Sequence, residues 1–435
     1  MKLNYKRTIL IGFAFLSICA FWQFYDNEIP KILKYNFNLG ETATGAIMAL
    51  DNVFALFMLP FFGALSDKTD TKFGKRIPYI LIGTIGAIVF LFLLINVAKP
   101  SGNIGFFIVI LLLLLISMGI YRSPAVSLMP DLTPAPLRSA GNAIINLMGA
   151  LGGVFTLVMT MVLIKKVDDS SMTNYSPLMF SIIILMAVSI LILVLNIKEN
   201  KIKSDIEKEG GLHSLGEEIE KESEDVNSGV KLPGDVFKSL AFLLMSVAFW
   251  YMAYNAVTTA YTRYVEEVWD LHDGSYAKTL LIATVAAVLS YIPIGAISSR
   301  IGRKKTILAG VIIMTFCYIV AAFMPRYSGS INIFFALIGI GWAAINVNSY
   351  PMVVEMSRAG DIGKYTGLYY TFSMAAQVFT PILSGILLEH ISYRTLFPYA
   401  VVFSCLAFCT MMMVKHGDVK PAKKENILEN FDVDD

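Results

Sequence analysis

Asp26 and Glu28 interrupt the oily N-terminal run TILIGFAFLSICAFWQFYDNEIPKIL, Asp51 interrupts the next apolar run, and Arg122 a later one. An ionised side chain at mid-bilayer costs at least ~2.5–3.5 kcal/mol, so such groups face a cavity or a partner. A carboxylate in that position can take up a proton from one side and release it to the other. Asp51 falls near the middle of its run and has Asn52 beside it. Arg122, with five donors in a fixed fork, suits either pairing with an intramembrane acid or hydrogen bonding to a polar cargo. Helical phase separates the first two acids. Asp26 shares a face with Gln23 and Trp22, a polar and aromatic surface, whereas Glu28 faces with Lys31 one turn on. Asp26 and Asp51 are therefore the expected proton-coupling pair, and Glu28 is expected at the outer rim.

The elements that must position these residues follow from composition. The chain has 435 residues, 56% hydrophobic and 16% charged, against about a quarter charged in a soluble domain. Apolar runs of bilayer-spanning length recur, and backbone groups in lipid must be satisfied within each segment, which requires helices. The expected fold is an all-α polytopic membrane protein with twelve spans, at about 8–35, 42–65, 78–98, 105–128, 139–164, 177–197, 236–262, 276–298, 306–324, 331–354, 365–388 and 395–414. Roughly twice as many Lys and Arg flank the terminal side as the other, placing both termini in the cytoplasm. The first run follows Lys2, Lys6 and Arg7, but it is too long for a cleaved leader and lacks a small-x-small site, so it is expected to stay as a span. Cys19, Cys317, Cys405 and Cys409 all lie in apolar runs and read as packing residues. A net charge of +2 points to no nucleic-acid partner. The sequence contains no GxSxG, HExxH, paired CxxC or Walker loop, which argues against an enzyme, and no cofactor or metal is expected.

Residues 198–235 are charged, mixed in sign and poor in apolar groups. They read as a cytoplasmic linker, with a short helix near 212–222, between an N-terminal bundle (1–197) and a C-terminal bundle (236–414), followed by a cytoplasmic tail (415–435). The halves echo each other. Phe21-Trp22 with Asn27 recurs as Phe249-Trp250 with Asn255. GALSDKTDTKFGKR (63–76) answers to GAISSRIGRKK (295–305). Pro130-Asp131 with Arg138-x-x-Gly141 has a looser counterpart in Glu355 with Lys364-x-x-Gly367. The common offset of about 224–232 residues is that of a parallel repeat.

The repeated glycine–basic loop resembles the signature loop of the major facilitator superfamily. The stretched first copy, with YRSPAVSLMPDLTPAPLRSAGNAI (121–144) and NVNSYPMVVEMSRAGDIGKYTGLYYTFSMAAQ (346–377), is similar to the glycoside–pentoside–hexuronide cation symporters, and most of all to their bacterial sucrose-transporter-like members. The resemblance implies two six-helix bundles, alternating access and proton-coupled movement of a disaccharide or other glycoside across the cell membrane, by a chain acting as a monomer. It implies a charged latch at Asp67 with Lys75 and Arg76. Gly63, Gly74, Asp131, Arg138, Gly302, Arg303 and Glu355 complete the expected cytoplasmic gate. Ser299 stands where the second copy would carry its Asp. Melibiose-type sodium symporters bear two carboxylates where this chain has Ala55 and Leu59. A sodium cage needs several oxygens and a proton needs one titratable group, which favours H+. Sugars present hydroxyls and flat C–H faces, and their sites use aromatics and amides. Span seven offers Trp250, Tyr254 and Asn255; span ten Trp342, Asn346 and Asn348; span eleven Tyr369, Tyr370, Ser373 and Gln377; span five Asn146. With Gln23, Asn52 and Arg122, the expected substrate ligands are Asn146, Trp250, Asn255, Asn346, Tyr370 and Gln377. A drug or other small-molecule facilitator or antiporter on the same fold remains the alternative.

Overall fold

A computed structural model describes residues 3–99, 102–133, 137–165, 173–208, 233–356 and 362–418. The expected helix near 212–222, most of the tail and the side chain of Lys364 lie outside the described residues. Twelve helices among those described are long and apolar enough to cross a membrane: α1 (Tyr5–Asn36), α2 (Glu41–Asp67), α3 (Ile77–Val97), α4 (Ile104–Asp131), α5 (Gly141–Leu163), α6 (Ser176–Asn196), α7 (Gly234–Trp269), α8 (Tyr276–Ile301), α9 (Arg303–Ala322), α10 (Ile331–Glu355), α11 (Tyr365–His390) and α12 (Tyr393–Met413). No strand occurs among the described residues. The chain is a multi-pass helical membrane protein.

Local chemistry sets several of the ends. The Asn4 side chain accepts from the Arg7 amide at 3.0 Å and Asn103 from the Phe106 amide at 3.1 Å, each satisfying a donor the first turn cannot. Pro78 sits in the first turn of α3, where its missing N–H costs nothing. Pro30 lies inside α1, which widens into a π-helical turn over Ile32–Asn36 just beyond it.

The chain divides into two compact units, Met1–Leu212 with Asp270–Leu281, and His213–Trp269 with Ile282–Asp435. Within the first, α1 packs on α5 and α3 on α4; within the second, α7 packs on α11 and α9 on α10. The first-with-fifth and third-with-fourth pairings repeat, so the sequence echo extends to packing. The first unit's core includes Phe21, Phe24, Tyr121 and Met186, all inaccessible.

Three departures from the sequence expectation matter. The second span is not continuous: it breaks at Ala49 into Glu41–Met48 and Leu50–Asp67. The seventh runs on to Trp269 instead of ending near 262, and Arg263 and Glu266 in the added turns are only 5% and 4% exposed. The Arg263 guanidinium satisfies itself in part on its own helix, donating to the Thr259 carbonyl at 2.8 Å. Third, Glu28 and Lys31 are buried instead of lying at an open rim. The segment Asp270–Leu281 belongs to the first unit. Its Tyr276 hydroxyl donates to Glu28, and its ring lies 4.7 Å from Lys31 Nζ.

Candidate functional site

The acids of α1 and α2 and the arginine of α4 come together in the first unit. Asp26 lies within electrostatic reach of both Asp51 and Arg122. Asp51 and Arg122 face one small pocket, whose other walls include Trp22, Phe54, Ala55, Met58 and Leu59. The break at Ala49 puts Asp51 in the first turn of a helix segment, where main-chain N–H groups point outward. Asn52 Nδ2 donates to Asp51 Oδ1 at 2.8 Å. The Arg122 guanidinium sits over the Trp22 ring at 5.6 Å, a cation–π contact that holds it without neutralising it. Ala55 and Leu59, the positions without carboxylates, line this same pocket, so Asp51 is its one acid. Gln23 lies on the same helix as Asp26, half-buried, with its carbonyl accepting from Asn27 at 2.7 Å. Tyr25 is a group the sequence reading missed. It is fully buried, close enough to Asp26 and Asp51 to feel both charges, and its hydroxyl has no hydrogen-bond partner among the described residues. A tyrosine in an aromatic-rich apolar run carries no signal that sets it apart from packing.

The second unit holds an aromatic platform. Tyr254 of α7 and Trp342 of α10 stack at 3.8 Å with their planes 3° apart, and Tyr251 meets Trp342 edge-on at 5.2 Å. Trp250 is 1% exposed, and neither its indole N–H nor the Asn255 side-chain amide has a partner among the described residues. Asn346 is buried on α10, whereas Gln377 on α11 and Asn146 on α5 are half-buried. Tyr370 is not beside the platform. It packs on Tyr350 and Tyr369 at the far end of α10, and Tyr350 is about 12 Å along that helix from Trp342 at 1.5 Å per residue.

The expected gate residues form two ion-pair knots. In the first unit Arg76, 4% exposed, donates through Nε to Asp131 at 2.8 Å, through Nη2 to Asp67, and through Nη1 to the Gly63 carbonyl at 3.2 Å and to Ser66 Oγ. Lys75 Nζ lies 3.3 Å from both Asp67 and Asp131. Arg138 stands apart and donates to the Thr133 carbonyl at 3.3 Å. In the second unit Arg303 pairs with Glu355. Ser299, in the position of the missing Asp, turns back to its own helix at the Ala296 carbonyl, 2.8 Å away. Gly74 and Gly302 take φ values of 107° and 95°, the left-handed region open to glycine. Arg76→Ala is expected to destabilise the protein by ~1–3 kcal/mol, since it removes the charge-assisted bonds of a buried guanidinium while Lys75 still faces both carboxylates; thermal unfolding in detergent reads this, and Arg76→Lys, which lacks the fork, should recover little of it.

Comparison with known proteins agrees with this architecture. The structure of the xylose transporter XylE from E. coli, in an inward-open conformation, matches with a TM-score of 0.68 over 98% of this chain and 97% of that one, at 14% identity. The nucleoside transporter NupG matches with a TM-score of 0.66 over 94% of this chain and 100% of the other, at 16% identity. These are likenesses of fold. In sequence, an isoprimeverose transporter of Lactiplantibacillus pentosus is 23% identical over 307 residues, 69% of this chain. The matched part spans 59% of that relative's length, less than two thirds. A family model described as MFS/sugar transport protein, a family of transporters and not of enzymes, matches residues 14–396. The chain therefore belongs to the sugar-transport proteins of the major facilitator superfamily.

Proposed function

We propose that the protein is a secondary active transporter that moves a disaccharide or other glycoside together with a proton by alternating access. The observation that carries this is the meeting of Asp26, Asp51 and Arg122 in the first unit. One guanidinium and two carboxylates are neutral with one proton aboard and carry a net negative charge without it. In a membrane interior that difference is large enough to tie the cluster's occupancy to the transport cycle. H+ suits the cluster better than Na+, because the pocket wall is carbon at Ala55 and Leu59 and offers one carboxylate in place of an oxygen cage.

The glycoside is held by the second unit's platform. Trp342 stacked on Tyr254 presents a flat apolar face to a sugar's C–H face, and the unpaired Trp250 and Asn255 donors await hydroxyls. Asn346 and Gln377 supply further amides, while Gln23, Asn52 and Asn146 are the polar groups of the first unit. Both termini and the Arg76 and Arg303 knots lie on the cytoplasmic side of the cell membrane, in keeping with the flanking basic residues, and the protein works as a monomer. Trp342→Ala is expected to raise KM for the glycoside about tenfold or more, with a smaller change in maximal rate.

The test is uptake of labelled glycosides, disaccharides first, into proteoliposomes with an imposed pH gradient. Saturable, gradient-driven uptake supports the reading. No uptake of any glycoside, with export of cationic dyes in its place, would establish the facilitator or antiporter alternative.

A further inference from the structure

Two carboxylates that lie outside the repeated loops recur at equivalent places in the two units. Glu199 opens the short helix Glu199–Lys208, just beyond α6. It is fully buried, and its carboxylate accepts from the main-chain N–H groups of Lys75 at 3.0 Å, Arg76 at 2.9 Å and Ile77 at 3.3 Å. These donors run from just before the cap residue Arg76 to the first residue of α3, where no preceding helical turn supplies acceptors. Lys203 Nζ donates to the same carboxylate at 2.9 Å, and Asn200 Nδ2 reaches the Thr71 carbonyl at 2.9 Å. The arrangement requires a glycine at position 74, because a Cβ there would collide with the Glu199 carboxylate.

Asp418, just beyond α12, is the second unit's simpler counterpart, exposed and with one main-chain donor. It accepts from the Lys304 N–H at 2.9 Å, in the first turn of α9. A Cβ on Gly302 would lie 3.0 Å from Asp418 Oδ1. Lys304 Nζ returns the contact, donating to the Met412 and Val414 carbonyls at 3.0 and 2.6 Å, the unsatisfied acceptors ending α12.

In both units the capped backbone carries, or adjoins, the arginine of the ion-pair knot, Arg76 or Arg303. A chance surface contact has no reason to recur at the same place with a different residue and a different neighbouring sequence. We propose that Glu199 and Asp418 are positioning residues for the two knots, through which the segments leaving α6 and α12, the linker and the tail, set how readily each loop rearranges in transport. This deepens the transport reading and rests on it for the uptake readout alone.

Hydrogen exchange on the full chain in nanodiscs tests it directly. Glu199→Gln keeps one acceptor oxygen but loses the charge, and is expected to speed exchange over residues 74–78 about tenfold, leaving 302–306 unchanged. Asp418→Asn is expected to do the reverse. Exchange over the remaining helices serves as the folding control, and Glu199→Asp should recover part of the protection. In uptake, each variant is expected to lower the maximal rate about fivefold with KM within about twofold, since neither residue belongs to the proposed ligand sets. Unchanged exchange in both loops would overturn the proposal, and faster exchange with unchanged uptake would overturn its role in transport. Should the wild-type protein move no glycoside, the transport reading fails, and the exchange result still decides whether the caps hold the loops.

Discussion

Replacing Asp26 or Asp51 by asparagine is expected to abolish glycoside accumulation driven by a pH gradient, lowering the driven rate about 100-fold or more. Asparagine keeps the shape and the hydrogen-bonding capacity of a protonated acid but cannot exchange the proton. Each variant therefore leaves a cluster whose charge no longer changes through the cycle. Exchange of glycoside between two equal pools needs no net proton movement, so it is expected to survive within about threefold. That split separates coupling from folding or binding: a variant that lost both activities in parallel would show that the acid holds the structure or the sugar. The Asp51 variant has the added feature that Asn52 Nδ2 donates to its side chain. An amide NH2 aimed at that donor is a poor replacement for a carboxylate, so Asp51→Asn is expected to be the more disruptive of the two.

Arg122→Ala is expected to be comparably severe. It removes the one cation close to Asp26 and Asp51, so the cluster is neutral only with two protons aboard. Truncating a partner that faces buried opposite charge leaves that charge uncompensated, a loss of ~3–5 kcal/mol where it has no other outlet. Both driven uptake and equilibrium exchange should fall about 100-fold, unlike the acid variants. Arg122→Lys is the informative companion. It restores the charge but not the planar contact over Trp22, so it should return exchange more than coupling. Parallel measurements of driven uptake and exchange on the same preparations check both expectations.

Much of the fold was legible in the sequence because spanning helices announce themselves by the length of their apolar runs, and all twelve runs become helices. The basic loop pairs were legible for the same local reason: Arg76 and Asp67 are nine residues apart and meet. What the sequence hid depends on distant partners. Glu28 read as a rim residue because Tyr276, which covers it, is 248 residues away. Glu199 looked like one more charge in a charged linker, yet it is bonded across more than 120 residues to the start of α3. Asp418 was similarly unmarked. The break at Ala49 leaves no glycine or proline signal, although it defines the surroundings of Asp51. Tyr370 shows the same dependence on partners. Residue type made it a plausible sugar ligand, but its register on α11 places it with Tyr350 and Tyr369 and away from Trp342.

Coupling is read most directly as proton movement caused by the glycoside itself. Proteoliposomes in weakly buffered medium, with no imposed gradient, are given an inward glycoside concentration step while external pH is followed. The medium is expected to alkalinise to an extent that saturates with glycoside, vanishes in the Asp26→Asn and Asp51→Asn variants, and is indifferent to sodium. Glycoside entry with no pH change, or entry that requires sodium, would contradict proton coupling.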